Sequence, residues 1–129
     1  MHPYVSVLQT YMKALEQSDY ATVKSLFAAS GKVSSPFLGE MLVDPFFDRL
    51  AEASSKNVIT TIDIFLSATD KNHATAYFQY DWTVKDGTLI TFKVMDLFSF
   101  ETGSNKIAHL DLIYDTQPIR VSAGNKYEL

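Results

Sequence analysis

The chain predicts an α+β domain, with helices first and an antiparallel meander after them, on three observations. Apolar residues recur at spacings of three and four in the first part of the chain. From Val58 onward they alternate with polar ones, and short turn signals rich in Asp, Asn and Gly separate the alternating stretches. Helices followed by strands, rather than the two interleaved, define that class.

Tyr4, Val7, Leu8, Tyr11, Met12 and Leu15 mark one face of a helix over Pro3 to Gln17, with Pro at its first turn. Ser18 and Asp19 interrupt it, and Asp19 is placed to cap a second short helix carrying Val23, Leu26 and Phe27, ending around Ser30 and Gly31. Lys32 to Pro36 reads as a brief extended piece, because Pro36 biases Ser35 away from helical angles. Asp44 and Pro45 form a cap and first-turn pair for a third helix with Phe46, Phe47 and Leu50 as its buried stripe, ending near Ser54 to Asn57. Four strands follow, Val58 to Thr69, His73 to Val84, Thr88 to Phe100 and Ile107 to Tyr114. The polar stretch 121–129 reads as a loose tail or as a clasp over a partner subunit.

With 129 residues, 47% of them hydrophobic, and no internal repeat or linker, residues 1–129 make one domain. A net charge of −4 supplies no cationic field for phosphate backbones or anionic lipid, so neither nucleic acid nor membrane is an expected partner. The absence of cysteine excludes disulfides, thiolate nucleophiles and zinc-thiolate sites. His2, His73 and His109 share no helix and no ligand spacing, so no metal or cofactor is expected. No apolar run approaches the roughly 18 residues of a membrane span, and MHPYVSVLQTY has no basic segment leading into an apolar one. A cytoplasmic protein is the expectation.

Nine Phe, seven Tyr and one Trp in so small a chain either fill a core or line a cavity. The strand faces sort them. In Thr88 to Phe100 the even positions are Ile90, Phe92, Val94, Asp96, Phe98 and Phe100, an apolar face with one acid in it. A three-residue Lys85-Asp86-Gly87 loop aligns Trp82 with Ile90 and Tyr80 with Phe92, which keeps that face apolar and turns Tyr77 away. Asp96 on such a face must be hydrogen-bonded, paired or protonated. Two roles fit it: a neutral acid donating to a ligand oxygen, or an acceptor that fixes packing.

With the elements placed, the sequence resembles the nuclear transport factor 2-like superfamily, and within it the SnoaL-like and ketosteroid isomerase-like proteins. The resemblance covers Tyr4 to Arg120. It rests on Tyr11-Met-Lys-Ala-Leu-Glu-Gln-Ser-Asp19, Leu26-Phe27-Ala28, Val33-Ser-Ser-Pro36 and Gly39 followed by Phe46-Phe47. Later come Lys85-Asp-Gly87, Asp96-Leu-Phe-Ser-Phe100, Lys106-Ile107 and Tyr114-Asp115-Thr-Gln-Pro-Ile-Arg120. It implies a cone-shaped curved antiparallel sheet wrapped around the helices, an apolar pocket between them, and a homodimer. By residue, it implies that Tyr11 matches the isomerase's oxyanion tyrosine and Asp96 its oxyanion acid, while Ser35 stands where the isomerase has its general-base aspartate. A hydroxyl is no base near neutral pH, so steroid-type isomerisation by that route is not supported.

The expected ligand is a small, largely apolar, oxygen-bearing molecule in a pocket lined by Tyr11, Ser35, Phe47, Tyr80, Trp82, Phe92, Asp96 and Tyr114. If the domain is catalytic, isomerase, cyclase or hydratase-type proton chemistry follows, in which Asp96 and Tyr11 steady negative charge. The competing reading is a non-catalytic binding or dimerisation module whose polar pocket residues are structural. His109 and Asp111 alternate on the last strand opposite its apolar face, and so point to solvent or to a dimer partner. Asp115 and Arg120 pair at the sheet end, or Arg120 takes an anionic group at the pocket rim.

Overall fold

The computed structural model describes residues 2–69 and 71–123. Helix α1, Pro3–Glu16, starts from His2, whose Nδ1 accepts the Tyr4 N–H at 3.1 Å, and buries Leu8, Tyr11, Met12, Ala14 and Leu15. It ends where Ser18 enters the left-handed region at φ 56°, which lets the Asp19 N–H close on the Ala14 carbonyl at 2.8 Å. Asp19 then caps α2, Tyr20–Ser25, by accepting from the Thr22 N–H and hydroxyl.

Several boundaries differ from the sequence expectation. Helix α2 stops at Ser25, and residues 27–30, expected to be helical, open strand β1, Phe27–Ser35. Phe27 stays buried, but it is held by pairing with Ile107 instead of by a helical turn. Strand β2, Gly39–Leu42, has no counterpart in the expected elements; it folds back on β1 through a turn at Pro36, Phe37 and Leu38. It runs straight into α3, Val43–Ala53, so Leu42 is the N-cap residue without a side-chain bond and Asp44 lies inside the first turn. The missing N–H of Pro45 falls there among donors that have no intrahelical acceptor.

Strands β3 (Ser54–Leu66), β4 (His73–Val84), β5 (Leu89–Phe100) and β6 (Ile107–Tyr114) follow, and helix α4, Gln117–Ala123, closes the described chain. Strand β3 starts four residues before the expected Val58. Helix α4 takes in 121–123 of the stretch expected to be a loose tail or a clasp, and 124–129 lie outside the described residues.

The sheet order is β2-β1-β6-β5-β4-β3. It is mixed and not wholly antiparallel, because β1 runs parallel to β6. Helix α3 carries the chain from the β2 edge of the sheet to the β3 edge, and that crossover permits the parallel pair. Bulges in β3, between Ser54 and Lys56 and between Thr61 and Asp63, and at Ser99/Phe100 increase twist and bend the sheet around the helices. Its concave face and α1 to α3 enclose one core that includes Leu8, Leu15, Val23, Phe47, Phe78, Phe98 and Leu110. Among the described residues no helix is long and apolar enough to cross a membrane.

Candidate functional site

Between the concave face and the helices lies a cavity of about 610 Å³. Strands β4 and β5 supply one wall because their inward positions pair in register, Tyr80 with Phe92 and Trp82 with Ile90. That is the alignment a three-residue loop produces, and the Gly87 N–H closes the loop on the Val84 carbonyl at 2.9 Å. The Tyr80 and Phe92 rings stack with centroids 5.3 Å apart, and Tyr114 of β6 lies 5.1 Å beyond Phe92.

Of the residues the sequence singled out, the structure places Tyr11, Ser35, Tyr80, Trp82, Phe92, Asp96 and Tyr114 on this cavity. It does not place Phe47 there. Phe47 is fully buried behind the wall against Tyr11, Phe27 and Phe46, and its neighbour Phe46 lines the space instead. Adjacent helical residues point about 100° apart, so the rotation of α3 decides which of the two faces the cavity.

Several polar atoms of the wall are engaged within the protein. The Tyr80 hydroxyl donates to Asn57 Oδ1 at 2.7 Å, and the Asn57 amide donates to the Leu15 carbonyl and the Tyr20 hydroxyl, both at 3.0 Å. This ties β3 and β4 to the end of α1. The Trp82 Nε1–H donates to Ser54 Oγ at 2.8 Å, and Ser54 in turn donates to the Leu50 carbonyl at 2.6 Å. Ser35 Oγ accepts the Leu38 N–H at 3.2 Å and so holds the β1–β2 turn. Among the described residues no acid or base is hydrogen-bonded to it.

Asp96 differs from all of these. Its position on β5 between Val94 and Phe98 turns it inward, it is fully buried, and neither carboxyl oxygen has a hydrogen-bond partner. The Tyr11 hydroxyl, coming from α1, acts on it as a hydrogen-bonding neighbour, although the pair falls short of full hydrogen-bond geometry. Burial pushes Asp96 well above the usual carboxylate range, and the nearby tyrosine only partly opposes this. The Tyr11 phenol is also raised, first by burial and then by Asp96. Tyr114 is pushed up to about 12 by the same two causes. Of the residues on this wall that the sequence singled out, Asp96, Tyr11 and Tyr114 are those whose polar atoms no described hydrogen bond of full geometry consumes.

His109 and Asp111 lie outside this cavity, on the opposite face of the sheet. His109 Nε2 is 2.9 Å from Ser34 Oγ, and its Nδ1 is 3.6 Å from Asp111. Asp115 accepts the Gln117 N–H at 2.9 Å at the start of α4. The sequence reasoning missed Phe37 and Leu38 of the β1–β2 turn and Arg49 and Glu52 of α3, all on the cavity lining. Turn tips and exposed helix positions carry no periodic signal that would have found them.

A cone-shaped mixed sheet wrapped around three N-terminal helices is the fold of nuclear transport factor 2-like and ketosteroid isomerase-like proteins. The chain matches no protein-family profile and no curated protein sequence. Solved structures supply the likeness. The chain is similar to an NTF2-like protein of unknown function from Burkholderia pseudomallei, with TM-score 0.80 and 15% identity over 97% of this chain and 100% of that one. TerC, co-crystallised with polyporic acid, aligns at TM-score 0.77 and 13% identity over 93% and 97% of the two chains. A protein with the ketosteroid isomerase-like fold from Catenulispora acidiphila, in complex with trimethylamine, gives TM-score 0.76 and 15% identity over 92% of each. Identities this low carry the fold and leave the chemistry to the site.

Proposed function

We propose that the protein binds a small, largely apolar molecule through an oxygen atom set against Asp96 and Tyr11. The observation that carries this reading is the Asp96 carboxyl group, fully buried and without a hydrogen-bond partner on the wall of a 610 Å³ cavity. A buried carboxyl without a partner is cheaper to keep neutral than ionised. In that form it donates an O–H, and Tyr11 offers a second. Two donors in an apolar space favour a carbonyl, phenol or enol oxygen and stabilise negative charge that develops on it.

Ser35 cannot act as a base here, since its hydroxyl is a turn acceptor with no activating neighbour. Proton chemistry of the isomerase, cyclase or hydratase type is thus confined to substrates acidic enough to give up the proton themselves. That two proteins of this fold were crystallised with small organic molecules supports uptake of such a ligand. The structural reading is favoured for Tyr80 and Trp82, whose polar atoms are engaged by Asn57 and Ser54. The proposal includes a homodimer formed through the outer sheet face.

Trp82 is the sole tryptophan and lines the cavity, so its emission reports occupancy. Titration with 2-naphthol and estradiol is expected to give a saturable change. Asp96→Leu should weaken naphthol binding about tenfold, the loss of roughly 1.4 kcal/mol for one desolvated hydrogen bond. Asp96→Asn, which still donates, should retain most of the affinity. No response up to the solubility limit, or equal binding by Asp96→Leu, sinks the reading.

A further inference from the structure

Among the described residues one cation lines the cavity. Arg49 lies on α3 at the solvent-exposed rim, and none of the ion pairs among the described residues includes it. Asp48, its neighbour in sequence, is taken by Lys24 at 2.6 Å. Glu52 shares the rim, but it forms no ion pair with Arg49 and leaves the guanidinium fork open. An exposed arginine is ordinary on a surface; its position at this opening is what gives it meaning.

The interior beyond it is walled by Phe46, Phe78, Phe92, Val94 and Leu112, and at neutral pH it offers an anion no fixed positive charge. An anionic group can therefore be held only at the rim, and the rim has one group built for planar, two-point capture of a carboxylate. Phe37 and Leu38 also line the cavity, 42% and 40% exposed, and give the ligand's apolar body a surface to cover. The hydrogen-bond donors lie elsewhere on the wall, at Asp96 and Tyr11. The protein's net charge of −4 works against random capture of anions, so retention of one requires this local contact.

We propose that the ligand is an elongated monocarboxylate: an oxygen-bearing head against Asp96 and Tyr11, an apolar body along the aromatic wall, and a carboxylate held by Arg49 at the rim. This rests on the pocket reading above and adds the chemical class of what the pocket takes.

The test uses a matched pair, 4′-hydroxybiphenyl-4-carboxylate and its primary carboxamide, titrated against the full chain by Trp82 emission and by calorimetry. The wild type is expected to bind the carboxylate about tenfold tighter than the amide, a preference that shrinks with added salt. Arg49→Gln, an exposed change that leaves the core intact, should abolish the preference and leave the amide's affinity where it was. Glu52→Gln should strengthen carboxylate binding, because it removes a like charge from the same rim. Equal binding of the two probes by the wild type, or a preference that survives Arg49→Gln, overturns the carboxylate assignment and leaves the pocket reading standing. If neither probe binds while 2-naphthol does, the elongated-carboxylate assignment falls and the pocket reading stands; if 2-naphthol fails as well, both fall.

Discussion

The energetic cost of a buried carboxyl group without a hydrogen-bond partner depends on pH. Folding raises the pKa of Asp96, so over some range the folded chain keeps a proton that the unfolded chain has released. Stability from this group is then full below about pH 4, the ordinary aspartate value, and is lost as pH rises through the folded pKa. Asparagine has nearly the same shape and does not titrate. The stability of Asp96→Asn relative to wild type, from urea melts at a series of pH values from 4 to 8, is therefore expected to climb with pH. A difference that stays flat across that range would mean that Asp96 titrates alike in the folded and unfolded chains, contrary to the neutral-acid reading. The position of Asp96 was legible from the sequence because period-two alternation leaves one face per strand. The choice between Phe46 and Phe47 was not, because it turns on how α3 is rotated against the sheet, which tertiary packing sets.

At the scale of elements, the β4–β5 hairpin sets the wall. Its loop, Lys85 to Gly87, fixes which residues face each other, and a slip of one position would turn Tyr80, Trp82, Phe92 and Asp96 out of the cavity. Gly87 sits at φ 91°, where a side chain is strained, yet a Cβ added there would meet open space. Gly87→Ala is therefore expected to cost about 1 kcal/mol by conformation alone, read as a lower urea midpoint with an unchanged m-value. A loss several times larger would show that the loop packs against something beyond its own backbone. This register was readable in advance because loop length and hydrophobic alternation agree. The α2–β1 boundary was not, since Leu26-Phe27-Ala28 continues a helical spacing that only the non-local pairing of Phe27 with Ile107 interrupts. Strand β2 has four residues and lies at the sheet edge, too short for alternation to be distinguished from chance.

At the scale of the whole molecule, the concave face is occupied by the core and the convex face lies open. There the register brings Tyr77, Met95 and Ile113 side by side across β4, β5 and β6. Met95 is 38% and Ile113 55% exposed, an apolar row in the middle of the sheet and not at a fraying edge. Burying such a row against its own copy is the self-complementary solution that a two-fold axis allows. The prediction is a dimer that sediments at twice 14.5 kDa at micromolar concentration. Ile113→Asp should give a folded 14.5 kDa monomer, because the new charge has water on one side in the monomer and a desolvated apolar partner in the dimer. Its melting temperature should be independent of concentration, whereas that of the wild type should rise with concentration. A wild type that sediments only as monomer contradicts the dimer. A dimer that survives Ile113→Asp moves the interface off this row and onto another part of the surface.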